Sequence, residues 1–545
     1  MAGTTYLIEM KRVAILCAMA LILSITSFAQ SPTNYRPNNT KVKLDSTNLP
    51  IVWIEVDGVM IERNNRITAR MKIIHNGDGM LNYADTVAHP DQNIDYEGYV
   101  ALRYRGNTSY SRSDKKPYSF RPLDKPLEEG GEKKKVDILG MGKDNNWALL
   151  APYSDKSMMR DLLAFEISKP WMEYTPEGRY CELFLDGIYY GVYILSEVVS
   201  KGKTRLNLPD PGETYDELTG GYLVEVDRFS EVGFGSKYHP VSSTGVKYKN
   251  RSIRFSYQIP DYEDMTEGQI AYIKAAVNRM EDALASANYC DPETGYRKYL
   301  DVMSFIDYQI VMELGHSVDG YRLSCKLFKR RDSVDSRFKL ALWDMNIAFG
   351  NNSTCECWRT DTWLYQNNEI FYEAGASQLV PFWWYQLNND PEYTAALKDR
   401  WAQYRKSNLR EDRIMATVDS LANEVTSYGA EERNSKAWPR WGVWVWPNYY
   451  VAESYADEIA WLKNWLHDRI AWMDEQLGYT SALRGDVNGD GIVDVSDVIA
   501  LIDYVLQGDS ITTVDPYAYD CNQDDDIDIS DVIVLIDIVL YGIQP

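Results

Sequence analysis

Histidine is scarce in this chain, five in 545 residues: His75, His89, His239, His316 and His467. None belongs to a His-Glu-x-x-His pair, and no Gly-x-Ser-x-Gly occurs, which excludes the zinc-protease helix and the serine nucleophile elbow. The common phosphate and dinucleotide loops fail as well. Glu197 stands where a P-loop ending Gly202-Lys203-Thr204 needs its first glycine, and Gly233-Phe234-Gly235 lacks the third glycine of a dinucleotide fingerprint. Cysteine is sparse, seven in all. Apart from Cys17 these are Cys181, Cys290, Cys325, Cys355, Cys357 and Cys521, too few over such a length for a disulfide scaffold. Cys355-x-Cys357 has no second pair or histidines to complete a zinc site. Positive charge is also short: 57 Lys and Arg against 80 Asp and Glu leave a net charge of −23, which makes nucleic acid a poor partner. Beyond Ile25 there is no apolar run long enough to span a bilayer. Aromatics are plentiful, 40 Tyr and 16 Trp, and this fits a carbohydrate-binding surface or a large core equally well.

The N-terminus reads as an export signal. Lys11-Arg12, the apolar run Val13 to Ile25 and then Ser27-Phe28-Ala29 predict a signal peptide over 1–29, cleaved near Gln30. Leu16 before Cys17 argues against a lipid anchor, so a secreted chain with no membrane span after signal removal is expected. Residues 30–48, rich in Pro and Asn, predict a flexible lead-in.

The C-terminus carries a metal pattern twice. Ca²⁺ takes hard oxygens from loop positions 1, 3, 5, 9 and 12 around a sharp turn at position 6. Asp486, Asn488, Asp490, Asp494 and Asp497 occupy those positions, with Gly491 at the turn. Asp520, Asn522, Asp524, Asp528 and Asp531 repeat them, but Asp525 replaces the glycine, which predicts a strained turn and weaker binding in the second loop. Apolar helices, 498–506 and 532–540, follow the loops. No helix is expected before either loop, where Gly485 and Pro516-Tyr517-Ala518-Tyr519 stand. This loop-then-helix unit, duplicated within 485–545, resembles the dockerin family. The resemblance implies a small all-α module, two Ca²⁺ ions and a cohesin partner on a scaffold or cell surface. It further implies that Val495-Ser496 and Ile529-Ser530 read the partner, their near identity allowing either of two docking orientations.

Between lead-in and module, residues 49–479 form one large domain, joined to the module by a linker at 480–484. Alternating runs such as Ile51 to Val56 and Tyr99 to Tyr104 predict antiparallel strands, continued by 133–139 and 147–150. Asp186-Gly187 predicts a hairpin between Cys181–Leu185 and Tyr190–Leu195. Helical periodicity appears at 157–168, 268–286, 299–314 and 455–477, and strands at 222–226, 321–329 and 338–342. The order is β-rich, then mixed, then α-rich, so an α+β fold is expected rather than a sandwich or a doubly wound sheet.

Several polar clusters interrupt these apolar runs, and buried charge is costly unless paired or bound to something. Phosphoryl transfer divides its labour in this way, with cations for phosphates, oxygen ligands for magnesium and a carboxylate for the attacking hydroxyl. Asp344 and Asn346, flanking Met345 on an expected strand, would present two Mg²⁺ ligands on one face. Asp319 is the candidate base; Arg105 and Lys116 are candidate phosphate holders. Taken singly, Arg105 and Lys116 read equally as surface cations, Asp319-Gly320 as a turn and Glu197 as a salt-bridge partner.

Taken together, five segments resemble the CotH kinase family: Arg105-Gly-Asn-Thr-Ser109, Lys115-Lys-Pro-Tyr118, Gly187 through Glu197, Gly220-Gly-Tyr-Leu-Val-Glu-Val-Asp227, and Trp343-Asp-Met-Asn-Ile-Ala-Phe-Gly350. The resemblance implies an atypical protein-kinase-like domain that binds ATP and Mg²⁺ and phosphorylates Ser or Thr. By it Lys116 and Arg105 contact nucleotide phosphates, Glu197 supports the nucleotide site, Asp319 serves catalysis and Asp344 binds the metal. Asn346 departs from the family's Trp-Asp-x-Asp and removes one negative charge. Two alternatives remain: a pseudokinase or adhesin-like binding protein, favoured by Asn346 and by the scarcity of ATP outside cells, and a carbohydrate-active enzyme, which would need two carboxylates across a cleft.

Overall fold

A computed structural model describes residues 34–480, 482–507, 516–524 and 526–542. The expected signal segment and Asp525 lie outside the described residues.

Seven strands close into a barrel: β1 (Ile51–Glu55), β2 (Ile67–Ile74), β3 (Ile94–Tyr104), β4 (Tyr118–Leu123), β5 (Trp147–Leu150), β6 (Gly178–Leu185) and β7 (Ile188–Glu197). Their order is β6-β7-β5-β4-β3-β2-β1. The strands alternate in direction except at the closing seam, where β1 runs parallel to β6 with Ile51 opposite Glu182. Closure leaves no open edge. The interior is filled by alternate residues, among them Leu102, Tyr104, Phe120, Trp147, Cys181, Tyr193 and Leu195. Asp186 and Gly187 both take positive φ, 47° and 74°, the backbone that a two-residue hairpin between β6 and β7 requires.

A second, five-stranded sheet follows: β8 (Tyr222–Val226), β9 (Phe234–Gly235), β10 (Arg254–Ile259), β11 (Cys325–Lys329) and β12 (Phe338–Ala341), in the order β9-β10-β8-β11-β12. The principal helices are α1 (Arg160–Ser168), α2 (Glu267–Ala285), α3 (Val302–Gly315), α4 (Pro391–Arg405), α5 (Glu411–Thr426), α6 (Ala430–Ala437) and α7 (Tyr455–Leu477). Helix α3 is buried on every side from Phe305 to Gly315, so its polar residues need partners. Asp307 accepts from Arg400 at 2.9 Å and Tyr404 at 2.8 Å, and Glu313 accepts from Tyr321 at 2.8 Å and Leu364 N at 2.7 Å. Helix α6 plugs one end of the barrel, where Asn434 Oδ1 accepts from Lys115 Nζ at 2.9 Å and Val192 N at 3.1 Å. The chain is therefore α+β, with the barrel first and helices last.

Helices α8 (Val495–Gln507) and α9 (Ile529–Tyr541) pack through Val498, Leu501, Val532, Leu535 and Ile538. A short helical turn, Pro516–Tyr519, precedes the second loop. Among the described residues no helix is long and apolar enough to cross a membrane.

Four expectations are corrected. Residues 34–48 lie on the barrel, with Asn39 N bonded to Ala437 O at 3.2 Å and Tyr190 Oη to Tyr35 O at 2.8 Å. The strand expected at 133–139 shrinks to Val136–Asp137, paired with Lys143–Asp144. Strand β11 begins only at Cys325, because Tyr321 and Ser324 take φ of 65° and 53°. The Trp343 to Asn346 segment is not a strand: β12 ends at Ala341 and Asp344 sits at φ 66°. All six described cysteines are free.

Candidate functional site

Between barrel and second sheet lies a cavity of about 240 Å³. Strand β3 delivers Arg105 from the barrel. The loop that leaves α3 delivers Asp319 and Ser324, and the segment that leaves β12 delivers Asp344 and Asn346. Three of these turns depend on left-handed residues, His316 (φ 44°), Ser324 (53°) and Asp344 (66°). Backbone strain of this kind costs about 1 kcal/mol or more per residue and persists at functional sites.

Asp344 is the hub. Its Oδ2 accepts from Ser324 Oγ at 3.1 Å and its Oδ1 from Asn346 Nδ2 at 3.1 Å. The pair expected on one strand face thus meets across a tight turn instead. Asp319 is half-buried, and Arg322 approaches it at 3.4 Å; burial raises its carboxyl above the ordinary range, and the Arg322 charge opposes that rise. Arg105 stacks its guanidinium over Trp343 at 5.0 Å, and its Nη1 is buried without a partner. Burial lowers its pKa, while the charges of Asp344 and Asp161 favour its protonated form.

The structure adds residues that motif reading missed. Asp161, in the first turn of α1, accepts from Met345 N at 2.7 Å, and burial followed by the Asp344 charge pushes it up to about 7. The start of α1 is fixed by Arg160, which pairs with Asp155 at 2.6 Å and Glu458 at 2.8 Å. Asp227, the last residue of the Gly220 to Asp227 segment, also lines the cavity and is raised to about 6, by burial and then by Glu225. Ser324 was missed because a serine does not stand out as a metal ligand; only its distance from Asp319 in the chain could have drawn attention to it.

Two expected residues lie elsewhere. Lys116 does not line the cavity. Its ammonium donates to Tyr110 O at 2.6 Å and Ser113 O at 2.5 Å and stacks over Tyr35 at 4.1 Å. Glu197, at the end of β7, forms an ion pair with Arg205 and accepts from Tyr174 Oη and Glu177 N, both at 3.1 Å. Burial lifts it to about 7. Glu197 thus braces the barrel next to Val198, which lines a second, larger cleft.

Among the described residues no three His, Cys, Asp or Glu side chains converge to hold one ion. The cavity's oxygen set suits Mg²⁺, which habitually takes one or two carboxylates and completes its octahedron with phosphate oxygens and water.

In the C-terminal module the two loops fold alike. Asp497 Oδ1 accepts from Asn488 N at 3.0 Å, and Asp531 Oδ1 accepts from Asn522 N at 3.1 Å. Asp486 Oδ2 accepts from Gly491 N at 2.9 Å, and Asp520 Oδ1 from Asp524 N at 3.2 Å. Asp490 and Asp524 each accept from the amide two residues on. Asp494 and Asp528 are held below the ordinary range by Ser496 and Ser530 respectively. Carboxylates already wrapped by their own backbone, together with Asn amides, form the hard-oxygen donor set that Ca²⁺ prefers. Gly489 and Gln523 occupy equivalent left-handed positions, φ 76° and 66°. Val495 and Ile529 are equally exposed, at 61% and 62%.

A family model described as CotH kinase protein matches residues 102–473, a span that contains every residue of the cavity. The chain belongs to the CotH kinase family. A second model, the dockerin type I domain, matches residues 484–540. No curated protein matches the chain. This is therefore a CotH domain with a dockerin at its C-terminal side, and the dockerin implies a cohesin partner and attachment to an extracellular scaffold.

Proposed function

We propose that the CotH domain is an ATP- and Mg²⁺-dependent Ser/Thr protein kinase, secreted and held to a cohesin-bearing scaffold by its Ca²⁺-loaded dockerin. The observation that carries this reading is the meeting of Asp319, Ser324, Asp344 and Asn346 with Arg105 in one cavity. Chain order supports it by analogy. Helix α3, the Asp319 loop, the β11–β12 hairpin and then Asp344 follow the succession in which protein kinases carry their catalytic-loop Asp and their metal-binding Asp. Ser324 follows Asp319 at the spacing of the metal-binding Asn in that loop.

In this reading Asp319 accepts the proton of the acceptor hydroxyl as its oxygen bonds to the γ-phosphorus. The bond to the β,γ-bridging oxygen breaks, and ADP leaves with that electron pair. Burial raises the basicity of Asp319 and suits it to the task. Arg105, fixed against Trp343, faces the charge spread over the transferring oxygens. Asp344, Asn346 and Ser324 would hold Mg²⁺, which neutralises charge on the β- and γ-phosphates. The calcium ligands are Asp486, Asn488, Asp490, Asp494 and Asp497 in one loop and Asp520, Asn522, Asp524, Asp528 and Asp531 in the other.

The test is incubation of the mature protein with labelled ATP and Mg²⁺ beside Asp344→Ala. Transfer by wild type and its loss in the variant are expected; absence of both binding and transfer in wild type would end the kinase reading. A second reading, a nucleotide-binding protein without turnover, is favoured by Asn346, which replaces a carboxylate and turns its amide toward Asp344. It predicts ATP binding without transfer.

A further inference from the structure

The second cleft, about 1090 Å³, meets the cavity at Arg105, Gly106 and Trp343. Its barrel wall is built from Arg66, Arg103, Arg105 and Arg121, with Lys133 and Lys135 at the rim. Register explains the arrangement: Arg103 lies on β3 and Arg105 two residues on, just past its end, and Ser119 and Arg121 on β4 face Arg103 and Ala101, so their side chains emerge on one face. Of the other cations in the cleft, Lys201 pairs with Asp210 and Lys326 with Glu225 at 2.8 Å, while Arg63 donates to Asn107 Oδ1 at 3.3 Å. The six named here have no carboxylate within ion-pair distance among the described residues. Arg66 instead donates to Ala101 O at 2.9 Å and Ser119 O at 3.1 Å. Arg121 donates to Asn146 Oδ1 at 3.2 Å. Arg103 Nε and Arg105 Nη1 are buried with no acceptor. Burial and the charges of Arg121 and Arg103 bring Arg66 down to about 9.

Half-buried like charges with so few counter-charges, Asp261 acting on Arg103 and Asp344 and Asp161 on Arg105, destabilise a fold unless a ligand supplies further anions. Nine Lys and Arg line the cleft against four acids, Asp144, Asp210, Asp261 and Asp264, an excess larger than a nucleoside triphosphate, half neutralised by its metal, would balance. The protein as a whole is strongly acidic, at −23, so the patch is a local reversal rather than a general coating, and a nucleic-acid partner is disfavoured. We infer that this cleft binds an acidic polypeptide segment, whose Asp and Glu side chains lie along the arginine wall while a neighbouring Ser or Thr reaches the cavity past Arg105. That this segment is the phosphoryl acceptor rests on the kinase reading; that it binds does not.

The experiment is fluorescence anisotropy with a labelled serine peptide flanked by Glu residues, in the absence of nucleotide, against a Lys-flanked peptide of the same length. Wild type binds the acidic peptide in a salt-sensitive manner and ignores the basic one. Arg121→Gln weakens binding about tenfold, with ATP affinity unchanged. Lys133→Gln/Lys135→Gln, at exposed positions that cannot disturb the barrel, weakens it in the same direction. Equal binding of both peptides, no loss in either variant, or a parallel loss of ATP affinity would overturn the inference, the last by giving the cleft to the nucleotide. An oligonucleotide bound as tightly as the peptide would also overturn it. If peptide binding follows the expected pattern while labelled ATP is neither bound nor transferred, the cleft assignment stands and the kinase reading falls.

Discussion

Arg410 Nη1 lies 3.9 Å from Asp520 Oδ2, so the residue that opens helix α5 of the CotH domain reaches the first oxygen donor of the second calcium loop. The same guanidinium is held by Asp412 at 3.1 and 2.6 Å and stands over the Tyr517 ring at 5.2 Å, with Arg484 over that ring at 4.9 Å. A divalent ion on Asp520 would meet a fixed positive charge at close range, and like charges in a buried setting repel strongly. Arg410→Gln is therefore expected to tighten the second calcium site several-fold while leaving the first unchanged. By linkage, Ca²⁺ loosens the grip of the CotH domain on the dockerin by the same factor. Calorimetric titration of the full chain resolves the two sites, and an unchanged second affinity would sink the coupling.

Lys116 supplies a contrast. Its donors end on two carbonyls and its charge on two tyrosine rings, so Lys116→Ala is expected to lower stability by about 2 kcal/mol while ATP affinity holds. Arg105→Ala is expected to do the reverse, weakening ATP most. Thermal denaturation beside nucleotide titration decides the matter. A large loss of ATP affinity in the lysine variant would return that residue to the nucleotide site.

What was legible in the sequence was local. Hairpin Asp186-Gly187, strand Tyr222–Val226 and helix Tyr455–Leu477 follow from turn chemistry and periodicity. Asp319, Asp344 and Asn346 were singled out from the chemistry that phosphoryl transfer demands, and the three share one cavity. Barrel closure was not legible, since nothing in β1 or β6 announces a parallel seam between distant segments. Asp161 escaped because an acid in a helix's first turn is ordinary there; only tertiary packing carries it to Met345 N. The arginine wall escaped because its members lie on three separate strand segments, each with one or two cations.

The second calcium loop asks a non-glycine residue, Gln523, to hold φ 66°, where the first loop has Gly489 at 76°. That conformation costs an L-residue about 1 to 2 kcal/mol, so Gln523→Gly is expected to tighten the second site about fivefold or more. Two-step Ca²⁺ titration of the variant provides the measurement; identical second-step affinities would mean that the difference between the loops lies elsewhere.

Asp161 gives the clearest pH signature. In the fold its carboxyl is lifted from the ordinary 3.8 to about 7, first by burial and then by the Asp344 charge. The folded protein therefore keeps a proton that the unfolded chain has released. Stability from this group is complete below the unfolded value and falls as pH rises through about 7, above which the contribution is flat. Asp161→Asn retains an oxygen for Met345 N, at 2.7 Å in wild type, but never ionises. Its Tm is expected to exceed that of wild type by about 2 to 4 °C at pH 8, with the gap narrowing at pH 5. Asp227 and Glu197 titrate in the same direction, so wild type and variant will both slope; the difference between the two profiles isolates Asp161. Scanning calorimetry at the two pH values measures it, and parallel profiles would show that the carboxylate is already neutralised by a partner in the folded state.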